Sequence, residues 1–553
     1  MFRRLLAFTA PFVCVMSAGC SGHGTSALPS LNTPVGGTQP AGKRANATFI
    51  LIIPRQSGSS ASSRKPMYVS PSTKSVAVTV NGTSTAVTIS TSGPDCTTPT
   101  VISPTTCTIP ISAPVGTDPF EVDTYDQPNT GSGPYAGNDL SNTTFEATIV
   151  QGEANTVTAT LGGVPASLSV TPLSNSGLLV GSSAGGGFIA YGDTSFSVAV
   201  MSYDADNNPI VGLGSPTLTL QGTSGISITA PASGSSQNIF TLKNAAFNTR
   251  ETLTATATPV AGTSGSPVAL SIPWETKHVV VYTLNPNNNA VYVFYDETAT
   301  AQYSLAVPGG SNEEDGLAVD ANGTVYVPIG NGTVDVYTNG ATSPSYTISG
   351  VVGNPDGACV DHEGNAYFTD SNGNSGDGQV EMVTPGGTTT AATYTQDMSG
   401  PFDCAVDPVD DSLWVLNLGN STVVQFPHGS TTPEQEFGLT GGESYSDESI
   451  ALDRFGTMYI GENNGSDVPQ VQVYLLGAHS SDFTLNTYDP SGFWAPTELA
   501  VDVAGNLWVG DFTSGSGGAV QEFPGYVTAT SSATMLPYTP LNSLLGLAVN
   551  PSQ

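Results

Sequence analysis

At 553 residues the chain is several times the ~100–200 residues of one domain, so about three folded units are expected. Charged residues make up only 10%, and Gly, Ser, Thr, Asn and Val are abundant, a composition suited to short strands and turns. The net charge is -33, and eight of the twelve basic residues precede residue 75; from His278 onward Arg454 stands alone. Such a chain excludes nucleic acid and anionic membrane surfaces, which need clustered Lys or Arg, and leaves cations as plausible ligands.

In chain order, Arg3 and Arg4 precede the short apolar stretch LLAFTAPFVCVMSAG, which predicts an export signal over residues 1–20, too brief to span a membrane. Ser17-Ala18-Gly19-Cys20 resembles a bacterial lipobox, in which the cysteine is lipidated and becomes the mature N-terminus; Ser17 stands where Leu is usual. The resemblance implies lipidation at Cys20, with ordinary signal-peptide cleavage as the alternative. Residues 21–45 are rich in Gly, Pro, Ser and Thr and read as a flexible tether.

Residues 46–165 alternate strands such as SVAVTV, CTIPIS and FEVDTYD with Gly, Pro and Asn turns, a β-sandwich signature. Cys96 and Cys107 flank a turn-rich connection, and a disulfide between them is expected in an oxidising compartment. Residues 166–275 repeat the pattern, and YDADNNPIVG resembles the interstrand turn of bacterial Ig-like modules. The expectation is therefore two Ig-like β-sandwiches.

Six anchors then recur: GLAVD from Gly316, GACVD from Gly357, DCAVD from Asp403, SIALD from Ser449, ELAVD from Glu498 and GLAVN from Gly546. Their spacing is close to the ~40–50 residues of a propeller blade. A second strand carrying Tyr326, Tyr367, Trp414, Tyr459 or Trp508 follows each complete anchor, and inter-blade packing is the expected role of these rings. The last anchor ends after one strand; its missing strands are HVVVYTL, NAVYVFYD and AQYSLAV near residue 280. The fold expected over 277–553 is an all-β, six-bladed propeller closed by mixing both ends of this region in one blade, which removes the sheet edge. Cys359 and Cys404 sit within repeats and read as small buried hydrophobes.

These repeats resemble NHL propellers and, locally, the senescence marker protein and gluconolactonase family. Pro355-Asp356-Gly357 looks like that family's PDG strand, and Asp315 stands where the family carries a ligating Asn. The resemblance implies a divalent-metal site. The column before each inner strand reads Asp315, Asp356, Phe402, Glu448, Thr497 and Leu545, so Asp315, Asp356 and Glu448 are candidate ligands for Ca2+ or Mg2+. The family's Glu-Gly-Pro motif is absent. The histidines do not occupy this column, which argues against the virginiamycin-lyase type of propeller. A second calcium loop is sketched by Asp370, Asn372, Asn374, Asp377 and Glu381, against a plain hairpin reading of the same residues.

The sequence expectation is thus an exported, lipid-anchored cell-envelope protein, periplasmic or surface-exposed, whose propeller serves as a monomeric binding platform for a protein, glycan or small molecule. The alternatives are a metal-dependent hydrolase of lactones or esters and an extracellular glycan binder.

Overall fold

The computed structural model describes residues 42–550 except 54–68, 90–95, 98–104, 130–134, 174–177, 193–194, 233–237, 297, 309–315, 330–331, 352, 354, 372–376, 440–446, 463–469, 486–495, 512–517, 526, 540 and 542–543. Cys20, the leader and nearly all of the tether lie outside the described residues. Among those described, the chain is all-β: ten sheets and a single 3-10 turn, Pro286–Asn288. No helix among them is long and apolar enough to cross a membrane.

Between Arg44 and Gly163 a three-stranded and a five-stranded sheet share one core. Alternating side chains Phe49, Leu51, Ile109 and Ile111 of the first meet Val76, Val78, Phe120 and Val122 of the second. That period of two is what buries one face of each strand. Arg44 and Ala45, read as tether, already pair with Pro114 and Ala113. Cys96 and Cys107 form a disulfide at the edge of this core. Between Ser167 and Lys277 two further sheets enclose a separate core around Trp274, with Phe188 and Phe196 edge-on to its ring. The two units meet through polar contacts: Asn208 Nδ2 donates to Ser72 Oγ at 3.0 Å, and Asn142 exchanges two bonds with the Ser264 backbone.

Six four-stranded antiparallel sheets follow. The first joins Val280–Asn285, Ala290–Tyr295 and Tyr303–Ala306 to the last strand of the chain, Gly546–Asn550, with Val281 opposite Val549 and Thr283 opposite Leu547. The second to sixth open with Ala318–Val319, Ala358–Val360, Pro401–Val406, Asp447–Leu452 and Pro496–Val501. Each opening strand contacts the opening strand of the next sheet, and Gly546–Asn550 contacts both Pro496–Val501 and Ala318–Val319, so the contacts return to their start. A belt of bonds follows the same path. Thr369 Oγ1 donates to Phe402 O at 2.6 Å, Ser449 Oγ to Pro496 O at 3.2 Å, and the Gly316 amide to Leu545 O at 3.1 Å. Here the strands press close: a Cβ on Gly316 would meet Asp356 O at 2.8 Å, and one on Gly357 would meet Phe402 O at 2.6 Å, so both positions demand glycine.

The second-strand aromatics Tyr326, Tyr367, Tyr459 and Trp508 are buried. Tyr326 packs against Ala358 and Phe368 of the following sheet, and Trp508 against Leu547 and Phe294 of the first. Trp414 is half-buried. Cys359 and Cys404 are not free thiols: they form a disulfide joining the opening strands of the third and fourth sheets, with Cα atoms 5.7 Å apart. Their reading as isolated hydrophobes is corrected by that adjacency, which brings unequal anchor positions within bridging reach.

Candidate functional site

An antiparallel meander puts its first-to-second and third-to-fourth turns at one end of each sheet and all other connections at the opposite end. The first end is pinned by the aspartate that closes each of the first five anchors. Asp502 Oδ1 accepts the Ala504 and Asn506 amides at 2.8 and 3.0 Å, while Oδ2 accepts Asn506 Nδ2 at 2.9 Å and Trp508 Nε1 at 3.0 Å. Asp453 does the same for Phe455, Thr457 and the Tyr459 hydroxyl, and Asp361 for Asn365 and Tyr367. One buried carboxylate thus shapes the turn and satisfies the aromatic of the next strand, which accounts for the D-x-x-G-x-x-[YW] spacing. This role escaped the sequence reading although the spacing was in view.

The opposite end carries the second-to-third turns and the connections from one sheet to the next, such as Glu462 to Gln470, Ser349 to Ala358 and Leu485 to Pro496. It also carries the proposed metal column. Asp315 and the Glu448 side chain lie outside the described residues. Asp356 is half-buried, its Oδ2 accepts the Ser371 amide at 2.7 Å, and burial raises its carboxyl. Register shifts fall between Pro401 and Asp403, Asp447 and Ser449, and Pro496 and Glu498. Phe402, Glu448 and Thr497 are therefore the extra residues of three equivalent bulges. A bulge turns its side chain out of the strand's alternation, and nothing in the sequence pattern marks it. Thr497 is buried and Oγ1 donates to Leu544 O at 3.4 Å, while Phe402 and Leu545 are half-buried.

The carboxylates the sequence reading missed are one residue further on. Asp403 and Glu498, the first residues of their anchors, are buried beside fully buried Ser449. Asp403 reaches across sheets: Oδ1 accepts the Cys404 amide at 2.8 Å and Oδ2 accepts the Ile450 amide at 2.9 Å. Burial lifts its carboxyl from 3.8 to about 7 against the pull of those two donors. The folded chain therefore takes up this proton at higher pH than the unfolded chain, so the contribution of this carboxyl to stability is full below about pH 4 and is lost as pH rises through about 7. Burial raises Asp356, Asp407 and Asp502 as well, and self-repulsion of the -33 net charge acts in the same direction. The thermal midpoint should be higher near pH 5 than near pH 8, and Asp403→Asn should flatten that slope while lowering the midpoint at pH 5; calorimetric scans across this range check both.

Of the second calcium loop, Asn372 and Asn374 lie outside the described residues. Asp370 ends one strand and pairs with Gln379 at the start of the next. Glu381 is turned to Gln379 Nε2 at 2.8 Å and Thr390 Oγ1 at 2.9 Å, and Asp377 is exposed. Glu462 is held likewise by Gln470 and Gln472. Among the described residues no group of three or more His, Cys, Asp or Glu is arranged to hold a metal ion. Many of the described acids at this end accept hydrogen bonds that fix loops and neighbouring strands, the use expected of satisfied buried carboxylates.

The chain is an all-β protein of many small sheets. No protein-family model matches it, and no curated protein matches it. Among solved structures it is similar to hydrazine synthase of Kuenenia stuttgartiensis, with a TM-score of 0.35 and 16% identity over 44% of this chain and 73% of that one.

Proposed function

We propose that this chain is an exported cell-envelope lipoprotein, anchored at Cys20 through the 21–45 tether. Two Ig-like sandwiches, 46–165 and 166–275, carry a six-bladed, NHL-like propeller over 277–553 that serves as a binding platform. The observation that carries the reading is the inequality of the two ends of the six sheets. The aspartate-pinned turns face the preceding unit: His278 lies between the rings of Phe247 and Tyr295, centroids 4.0 and 4.5 Å away. The end that carries the second-to-third turns and the inter-sheet connections is the one left for a partner, as loops on a rigid scaffold commonly are. Two disulfides support an oxidising compartment, and bonded contacts between successive units suit a spacer. Buried Trp508 speaks against sugar stacking by the second-strand rings.

The test sets this platform against a hydrolase using Asp315, Asp356 and Glu448. Calcium and, separately, magnesium are titrated calorimetrically into the protein and into the triple variant Asp315→Ala, Asp356→Ala, Glu448→Ala. The platform reading predicts no binding that depends on these residues. Binding at about micromolar Kd that the triple substitution abolishes would overturn it in favour of a metal-centred activity.

A further inference from the structure

At the joint between the Trp274-centred unit and the first two four-stranded sheets the structure holds a cavity of about 440 Å³. It lies at the end of the aspartate-pinned turns and is independent of the platform proposed above. Strand Val268–Lys277 runs into Val280–Asn285 with only His278 and Val279 between, so the joint is short. Its geometry is also fixed. His278 is stacked on both faces, its Nδ1 is 2.7 Å from Asp296 Oδ2, and Asp296 Oδ1 accepts the Val279 amide at 3.0 Å. Asp296 thereby sets the ring's orientation and leaves Nε2 as its remaining polar atom.

The cavity wall combines two kinds of group. Tyr191, Tyr295 and Tyr303 supply aromatic surface, and Asn248, Asn322 and Asn339 supply side-chain amides. Asn339 Nδ2 donates to Asn322 O at 2.9 Å, which holds the two turns together and fixes that amide's plane. An amide offers a donor and an acceptor side by side, the spacing of two adjacent hydroxyls, while a tyrosine ring offers a flat apolar face with a polar tip. Among the described residues no carboxylate lines the cavity, so these residues offer none of the hard anionic donors a divalent cation needs. Lys277, the one Lys or Arg among the described lining residues, already lies 3.7 Å from Glu275 Oε1, and the net charge of -33 repels anions. Rings, neutral amides and no uncompensated charge select a neutral polyhydroxylated ligand. The volume falls within the ~300–1,000 Å³ range of small-molecule sites and suits one or two sugar rings.

We propose that this cavity is a binding site for a neutral mono- or disaccharide, with Tyr295 and Tyr303 as the stacking surface and Asn322 and Asn339 as hydroxyl-reading amides. The test uses the full chain and saturation-transfer NMR with glucose, galactose, N-acetylglucosamine and their disaccharides, followed by calorimetry on those that bind. Asn322→Ala and Tyr303→Ala are the variants; Asn322 is an exposed turn residue, so its substitution leaves the fold intact. The expected result is binding by at least one sugar that each variant weakens about tenfold or more. Absence of binding by every sugar at about 10 mM, binding unchanged in both variants, or preferential binding of inorganic phosphate would overturn the proposal.

Discussion

Asp502→Ala is expected to lower stability by about 3–5 kcal/mol, because it strips four donors of their shared acceptor, three of them half-buried in the turn and one, Trp508 Nε1, buried. Two are backbone amides of the turn and two are side chains, Asn506 and Trp508. The Trp508 ring is buried between the sixth and first sheets, so its orphaned Nε1 cannot simply turn to solvent. The matched comparison is Asp407→Ala. In that sheet Trp414 Nε1 donates to Ser412 Oγ at 3.0 Å instead, the aspartate is half-buried, and Oδ1 accepts the Val409 amide. The loss there should be about 1 kcal/mol. Denaturant unfolding of both variants checks the ordering; equal losses would show that the aspartate-to-aromatic bond contributes nothing.

The strands and their repeat were legible because period-two burial and turn residues are local signals. VYVPI from Val325, AYFTD from Ala366 and LWVLN from Leu413 stand where the repeat placed second strands. What pairs with what was legible for Val280–Asn285 and Gly546–Asn550 only through counting, since they lie at opposite ends of the repeat region. The site was less legible. Its column was read as the residue before each strand, but bulges at Phe402, Glu448 and Thr497 break the alternation on which that reading depends. Buried Asp403 and Glu498 were passed over as ordinary anchor residues. The cavity beside His278 was invisible because its wall is drawn from Asn248, Asn322, Asn339 and Asn550, residues far apart in sequence whose meeting depends on how one unit sits on the next. The Cys359–Cys404 bridge was missed for a related reason: the two occupy different places in their anchors.

The second large effect concerns the proposed closure of the ring. Ending the chain at Leu544 removes Leu547, Ala548 and Val549, all buried, which pack with Val281, Phe294 and Trp508 on one side and Leu284 and Leu317 on the other. Three apolar side chains at about 1–3 kcal/mol each, together with the ladder they carry, amount to about 5 kcal/mol or more, against a typical domain stability of about 5–15 kcal/mol. The loss also bares the edges of Val280–Asn285 and of the neighbouring sheets, an invitation to association. The shortened chain should therefore lose cooperative unfolding of residues 277–544 and self-associate, as read by calorimetry and light scattering.

The most direct measurement of this closure is amide hydrogen exchange on the intact protein, read by mass spectrometry on the segments 280–285 and 546–550. The account predicts that both are protected to the same degree and lose protection together, because each supplies the other's ladder partners. Rapid exchange of 546–550 at the rate of an unstructured tail, with the remaining sheets still protected, would contradict it.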